Sequence, residues 1–392
     1  MQNWDTVEIG EIIKVTSGGT PSRKKPEYYH NGNVPWVKTG DLKEKELYSA
    51  SEFISEKGLK NSSAKLFPPD TVLIALYGAT IGACSILKIE AATNQACAAL
   101  LPSKKIDPKY LFYFLVHHKP KLIAAGVGGA QSNISGQIIK STTIPLPPLP
   151  TQRRIAAILD KADALRRKDR ELLDKYDELV QAVFLEMFGD PVKNPKNIEK
   201  RKLDEFIIHL TSGGRGWSKY YSDSGARFIR SYDVQMNEIS EEEIVHVSPP
   251  DNRESQRTRV NPKDVLLTVT GSKIGRVAVA PNDLGETYVS QHVAIIRTHK
   301  ISPYYLSFFL SLENGGQHLI RKNQYGQTKP GLKFDQIRGF EIPVPPIEMQ
   351  RKFSNAMENI EAQKAKVRQQ ITQSEALFQS LLQRAFRGEL AH

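Results

Sequence analysis

Two stretches of this 392-residue chain gather side chains able to hold phosphates and reach base edges. One carries Ser22, Arg23, Lys24 and Lys25 beside Tyr28 and Tyr29; the other carries Arg215, Trp217 and Lys219 beside Tyr220 and Tyr221. Guanidinium and ammonium groups neutralise phosphate oxygens, while amides, hydroxyls and rings meet bases. Groups of the same kind stand where short β-rich runs end: Lys38, Thr39, Tyr77 and Thr80 in the first half, and Arg230, Tyr232, Thr270, Ser272 and Lys273 in the second. Late loops add Gln131 and Asn133 in "GGAQSNISG", and Gln324, Gln327 and Lys329 in "NQYGQTKPG". Their amides suit adenine edges. "RESQRTR" offers Arg257 and Arg259 as phosphate contacts, whereas "EISEEE" (Glu238 to Glu243) would repel DNA and is expected to face away.

Catalytic constellations are missing by comparison. No G-x-x-x-x-G-K-[ST] loop occurs, and neither "GVGGAQ" nor "SGGRGW" completes G-x-G-x-x-G, so nucleotide hydrolysis and a dinucleotide site are unsupported. The nine histidines show no metal-ligand spacing, and two cysteines cannot build a zinc finger. "SPPD" (Ser248 to Asp251) lacks the aromatic ring that a methyl-transferring loop would stack on its target base. An acid–base set drawn from Asp70, Asp107 and Lys109 becomes Lys263, Ser302 and Tyr304 when the halves are matched, so it does not recur. The net charge of +11, mostly in two globular segments, suits an anionic partner.

The elements that must position these residues come in duplicate. Each half opens with a strand and a glycine pair, "VTSGGTPS" (Val15 to Ser22) and "LTSGGRGW" (Leu210 to Trp217), read here as tight turns needing positive φ. "VPWVKTGDL" (Val34 to Leu42) then matches "ARFIRSYDV" (Ala226 to Val234). "PDTVLIALYGATIG" (Pro69 to Gly82) matches "PKDVLLTVTGSKIG" (Pro262 to Gly275), a buried strand turned back at Gly78 or Gly271 into a second. "TNQACAALLP" and "VSQHVAIIRT" share Gln95 and Gln291; Cys84 and Cys97 fall opposite Val277 and Val293, which marks them as small apolar residues. "DPKYLFYFL" and "SPYYLSFFL" read as helices capped by Asp107 and Ser302 with proline in the first turn. All segments recur in order at offsets of 192 to 198 residues.

Each half closes with "IPLPPLPTQRRIAAIL" (Ile144 to Leu159) or "IPVPPIEMQRKFSNAM" (Ile342 to Met357). The prolines, Pro145, Pro147, Pro148 and Pro150 in the first copy, predict a stiff connector that joins neither sheet nor helix. Behind them run two long helical patterns, from about Gln152 to Met187 and from Gln350 to about Phe386. Ile155, Ile158, Ala162, Leu165, Leu172, Tyr176, Leu179 and Val183 occupy a and d positions of a heptad, and Phe353, Met357, Ile360, Val367, Ile371, Phe378 and Leu381 share a face of the second helix. The stripes are expected to bury each other.

The predicted fold class is therefore α/β (α+β), with two repeated globular domains separated by a long antiparallel two-helix coiled coil in a pseudo-twofold dumbbell, the bar on the order of 50 Å long. Expected boundaries are 1–143 for the first domain, 144–190 for the first proline entry and helix, 191–341 for the second domain and 342–392 for the second entry and helix. Hydrophobic residues at 40% and charged residues at 25% are globular values. No apolar run is long enough to span a bilayer, and the start "MQNWDTVEIGEIIKV" lacks a signal-peptide layout, which predicts a cytoplasmic protein.

Over essentially its whole length the chain resembles the specificity subunits of type I restriction-modification enzymes. The likeness is carried by the doubled "TSGG" openings, by "YGATIG" and "TGSKIG", and by the twice-used entrance P-x-P-P-[LI]-x-x-Q-R-[RK]. The resemblance implies a non-catalytic reader of double-stranded DNA, each recognition domain reading half of a split target. It also implies two methyltransferase subunits bound around the helices and bringing S-adenosylmethionine, with none held by this chain, and motor-nuclease subunits in the restriction complex. Two rivals stay open at this point: a self-sufficient modifying or nicking enzyme with an unrecognised site, and a repressor-like DNA-binding protein.

Overall fold

The computed structural model describes residues 4–126, 133–326 and 330–390, so Gln131, Gln327 and Lys329 lie outside the described residues. The chain divides into two compact units, residues 1–171 with 368–392, and residues 172–367.

In the first unit a sheet places β1 (Val15–Ser17) beside β4 (Cys97–Leu100), then β2 (Val72–Ala75), β3 (Cys84–Leu87) and the short strand Glu46–Leu47. The turn-back expected at Gly78 is present, since β2 and β3 pair antiparallel with Leu73 opposite Ser85. A second sheet orders Phe53–Ile54, Val34–Val37, Ala91–Thr93 and Leu66–Phe67. Side chains of a strand alternate between faces. Val72 and Ile74 accordingly join the core beneath helix α1 (Pro108–Ala124), while Leu73 and Ala75 pack with Val37 and Phe67 on the other face. Both faces are covered, which is why the strand reads as an unbroken apolar run. Cys84 and Cys97 are buried one on each face, and burial pushes both thiols up to about 12.

Helix α1 is capped as expected, the Asp107 carboxylate accepting the N–H groups of Lys109 (3.0 Å) and Tyr110 (3.2 Å). The proline entrance departs from the expectation. Thr143–Pro145 is a strand paired with Thr6–Glu8, and Pro150 lies in the first turn of the helix Leu149–Phe188, so only Pro147 and Pro148 stand outside both. Such an edge position tolerates proline because no ladder donor is required of it.

Helix α2 (Leu149–Phe188) follows without a break. Its first part, with residues 368–386 of the closing helix, completes the first core: Ile155, Leu159 and Ala162 share it with Phe378, Leu382 and Ala385. Asp160 on α2 meets Lys45 (2.8 Å), Lys109 (2.8 Å) and the Tyr113 hydroxyl (2.6 Å). Burial alone would raise the Asp160 carboxyl, yet these three donors hold it below the usual carboxylate range.

The second unit repeats the plan. One sheet orders β5 (Ile207–Ser212), β8 (Val293–Thr298), β6 (Val265–Thr268) and β7 (Val277–Val279). The other orders Tyr221–Ser222, Val245–Val247, Ala226–Ile229 and Thr287–Val289. Helix α3 (Pro303–Ser311) covers the first sheet, with the Ser302 side chain accepting from Tyr305 N–H. Glu341–Pro343 pairs with Lys200–Lys202, as its counterpart does in the first unit. Phe184 and Phe188 of α2 pack with Phe353 and Met357 of helix α4 (Ile347–Phe386) and with Tyr305.

The helix seam corrects the heptad reading. Ile155, Phe353 and Val367 are buried, and Ile158, Val183, Ile360 and Leu381 are partly so. Leu165, Leu172 and Leu179, however, are 46%, 39% and 45% exposed. The packed face runs through Leu159, Arg166, Leu173 and Val180, positions four rather than three residues beyond Ile155, Ala162, Asp169 and Tyr176. Its middle is ionic: Asp163, 2% exposed, holds Arg166 and Arg167, Arg166 reaches Glu375 (3.2 Å), and Lys364 meets Asp177 (2.7 Å). Charged residues at interior positions hide the seam from a search for apolar repeats.

Candidate nucleic-acid interface

Strand registers decide which loops meet. In the first unit Ser17, at the end of β1, faces Ala98 near the start of β4, and Ala75, at the end of β2, faces Cys97. The "TSGG" loop, the "TNQ" turn and the "YGATIG" loop therefore leave one end of the sheet together. The second sheet delivers its loops to the same end, because Val34–Val37 runs parallel to Ala91–Thr93 and Asn94 N–H donates to Val37 carbonyl at 3.0 Å. Lys38 and Thr39 thus stand beside Asn94, and Ile134 N–H bonds Leu76 carbonyl (2.8 Å), bringing exposed Asn133 near Tyr77 and Thr80.

The second unit builds the same end independently. Ser212 faces Ala294, Thr268 faces Val293, and Ser290 N–H donates to Ile229 carbonyl at 2.8 Å, which sets Arg230 and Tyr232 beside Ser290. A bridge between Thr270 and Gly331, and another between Tyr325 and Gly331, bring Gln324 toward Ser272 and Lys273. Arg257 reaches this end by donating to the Ser212 carbonyl (3.1 Å), while Arg259 is held by its backbone opposite Tyr288.

The glycine pairs serve a different purpose from the one expected. Gly18, Gly19, Gly213 and Gly214 do not have positive φ. A Cβ on Gly18 would lie 2.0 Å from the Thr93 carbonyl oxygen, and one on Gly213 would lie 1.8 Å from that of Val289. Close approach of two backbones demands the missing side chain. Positive φ belongs instead to Gly78 (+87°) and Gly271 (+96°), where a Cβ would meet nothing within 4 Å.

Several expected contact residues are already tied. Arg23 forks onto Glu52 (2.9 Å through one nitrogen), lies over the Tyr29 ring (4.1 Å), and shares Glu52 with Lys38 (3.0 Å). The hydrogen bond from Arg23, more than that from Lys38, lowers the Glu52 carboxyl to about 2 against the opposing effect of burial. Lys25 bonds the Tyr28 hydroxyl (3.1 Å) and Lys219 lies over Tyr220 (4.8 Å). Ser22, Lys24 and Arg215 are exposed. Trp217 is 3% exposed, stacked on Phe228 and donating its indole N–H to Glu254 (2.7 Å); it supports the loop from within. Of the acidic run, Glu243 lies 3.6 Å from Arg230, whose main partner is Asp233 (2.8 Å), while Glu241 lies beside Arg227, nearer the other end of the strand Ala226–Ile229. Glu52, Glu254, Asn94 and Ser290 went unmarked in the sequence, since a carboxylate that orients an arginine has no pattern of its own.

Each unit thus ends in a cluster of basic, amide and aromatic groups on loops held by paired sheets. The family model for the type I restriction modification DNA specificity domain matches residues 1–174 and 195–374, so the chain belongs to that family and is a DNA-recognition subunit of its class. It is 25% identical to the type I restriction enzyme MjaIX specificity subunit of Methanocaldococcus jannaschii, across 99% of this chain and 94% of the relative. It is 30% identical to the EcoprrI specificity subunit of Escherichia coli, across 87% of this chain and 84% of that one. The fold is shared with the crystal structure of the S subunit of a type I restriction-modification system from M. genitalium, at a TM-score of 0.60 and 13% identity over 98% and 96% of the two chains. Among the described residues no helix is long and apolar enough to cross a membrane.

Proposed function

We propose that this chain is a non-catalytic reader of a bipartite target in double-stranded DNA, with each unit reading one half-site and the long helices setting the gap. The observation that carries the reading is the duplicated loop end: two units of different loop sequence deliver the same set of loops through the same strand registers. Phosphate contacts fall to Lys24, Lys25, Arg215 and Lys219, with Arg23 and Lys38 aimed by Glu52. Methyl transfer and S-adenosylmethionine belong to partner methyltransferase subunits, and cleavage to motor-nuclease subunits. The exposed Leu165, Leu172 and Leu179 lie along one stripe of α2 and are the side chains that a docked partner would cover.

The test is methylome sequencing of cells carrying the chain with its own modification subunits, beside an assay of the isolated chain. A split motif with a fixed gap, and no methyl transfer by the isolated chain, is expected. A continuous motif, or turnover by the chain alone, overturns the reading.

A further inference from the structure

We propose that Gln95 and Gln291 are base-reading residues, one in each unit, each offering its side-chain amide to the edge of an adenine; the assignment rests on the DNA-reading function above. Thr93-Asn94-Gln95 and Val289-Ser290-Gln291 are the turns by which the chain passes from the second sheet of each unit into the first, so they occupy the middle of the loop end. The turns are built alike. Cys97 N–H bonds the Asn94 carbonyl (3.2 Å) and Val293 N–H bonds that of Ser290 (3.0 Å), after each turn has tied its own N–H to the neighbouring strand. Around this frame the residues differ between units, Asn94 against Ser290 and Ala96 against His292, yet the exposed position after it is glutamine in both.

The setting points to a ligand. The Asn94 Oδ1 and Ser290 Oγ atoms, in the same place in the two turns, are buried without a hydrogen-bond partner among the described residues. Buried polar atoms are ordinarily satisfied, so each turn keeps an unused polar atom directly beside its exposed glutamine. Gly18 and Gly213 press against these turns, and the loops at Gly78 and Gly271 leave open space at the same end. Gln291 also shares a cleft of about 250 Å³ with Arg230, Ser290 and His292, walled by Trp217 and Phe228.

The amides are positioned. Thr20 hydroxyl donates to Gln95 Oε1, leaving the Gln95 Nε2 without a partner among the described residues, and Gln291 Nε2 lies 3.3 Å from His292 Nε2. A planar amide with one acceptor and one donor side matches the N6 amine and N7 of adenine in the major groove.

The experiment maps methylated motifs made by complexes containing Gln95→Ala, Gln291→Ala or Gln95→Glu. Each alanine variant is expected to relax one adenine position, in one half-site only, with discrimination there falling roughly tenfold to a hundredfold. The untouched half-site reports that the protein is folded and assembled. Gln95→Glu keeps the acceptor and loses the donor, so it should move preference at that position from adenine toward cytosine. An unchanged motif in both alanine variants overturns the proposal, as does uniformly weaker methylation with the motif intact, or relaxation at a base other than adenine. A wild-type complex yielding no split motif overturns the underlying function, and the glutamine assignment with it.

Discussion

The side chain of Gln152 accepts the backbone N–H of Asp107 at 2.8 Å, so the first turn of the long helix α2 holds the residue that caps helix α1. Its amide nitrogen donates to the carbonyls of Pro147 (2.8 Å) and Lys105 (3.1 Å). Gln350 repeats the arrangement with Ser302 N–H (2.7 Å) and the Pro345 carbonyl (2.7 Å), and nearby Tyr110 and Tyr305 donate to the carbonyls of Pro145 (2.9 Å) and Pro343 (2.8 Å). The repeated proline-glutamine entrance is a clamp joining each domain to its helix. Both glutamines are fully buried. Replacing either by alanine leaves buried backbone groups unpaired, at a cost of about 2 kcal/mol. Denaturant unfolding should show a lowered midpoint for each variant; an unchanged midpoint would show that water replaces the amide.

The Glu52 carboxyl should titrate near 2 rather than 4.5, because Arg23 and Lys38 favour its charged form. Its folded-state value is depressed, so the stability it contributes is complete above about pH 4.5 and is lost as pH falls toward 2. Carboxyl-carbon NMR would follow the titration. In Glu52→Gln the step disappears and two freed cations face DNA, so non-specific binding at low salt should strengthen.

Leu172→Asp should leave the chain folded, within about 0.5 kcal/mol of the parent, because exposed positions tolerate polar substitution. Co-purification with methyltransferase subunits should fall sharply. Retained co-purification in a triple variant with Leu165→Asp and Leu179→Asp would place the partner elsewhere.

A matched insertion of four residues, between Arg170 and Asp177 in α2 and between Lys364 and Glu375 in α4, keeps the flanking ion pairs in step. Each insert adds about 6 Å and slightly more than one turn, which corresponds to one or two base pairs at about 3.4 Å each. Methylome mapping should show both half-sites unchanged and the gap longer. An active complex with the original gap would show that the helices do not set it.

The duplicated plan was legible because strand alternation, helix caps and the proline entrance are written in residue types that recur in order. Where partners are backbone atoms, legibility stopped: Gln152 binds groups that every sequence possesses, 45 residues away along the chain. The glycine pairs were visible, but their reason was not, since the clash at Gly18 is with a strand whose position only the fold supplies. Leu165, Leu172 and Leu179 misled the helix reading because a seven-residue apolar repeat gives a spacing without saying which flank of the stripe the fold buries. Trp217 misled for the converse reason. Its neighbours are basic and aromatic, and only the stacking on Phe228 reveals an interior residue.

The first unit draws its core from widely separated stretches of sequence, with Phe378 against Tyr113 and Phe386 against Tyr110, whereas the second unit is one uninterrupted stretch. On the ribosome the earlier-made domain therefore lacks the aromatic cover that Phe386 and Phe378 give Tyr110 and Tyr113 until the last helix emerges, by which time every residue of the later-made unit has been synthesised. A premature stop just after Val367 would remove part of the older domain's core and none of the younger one's residues, so the unit begun first is the one completed last.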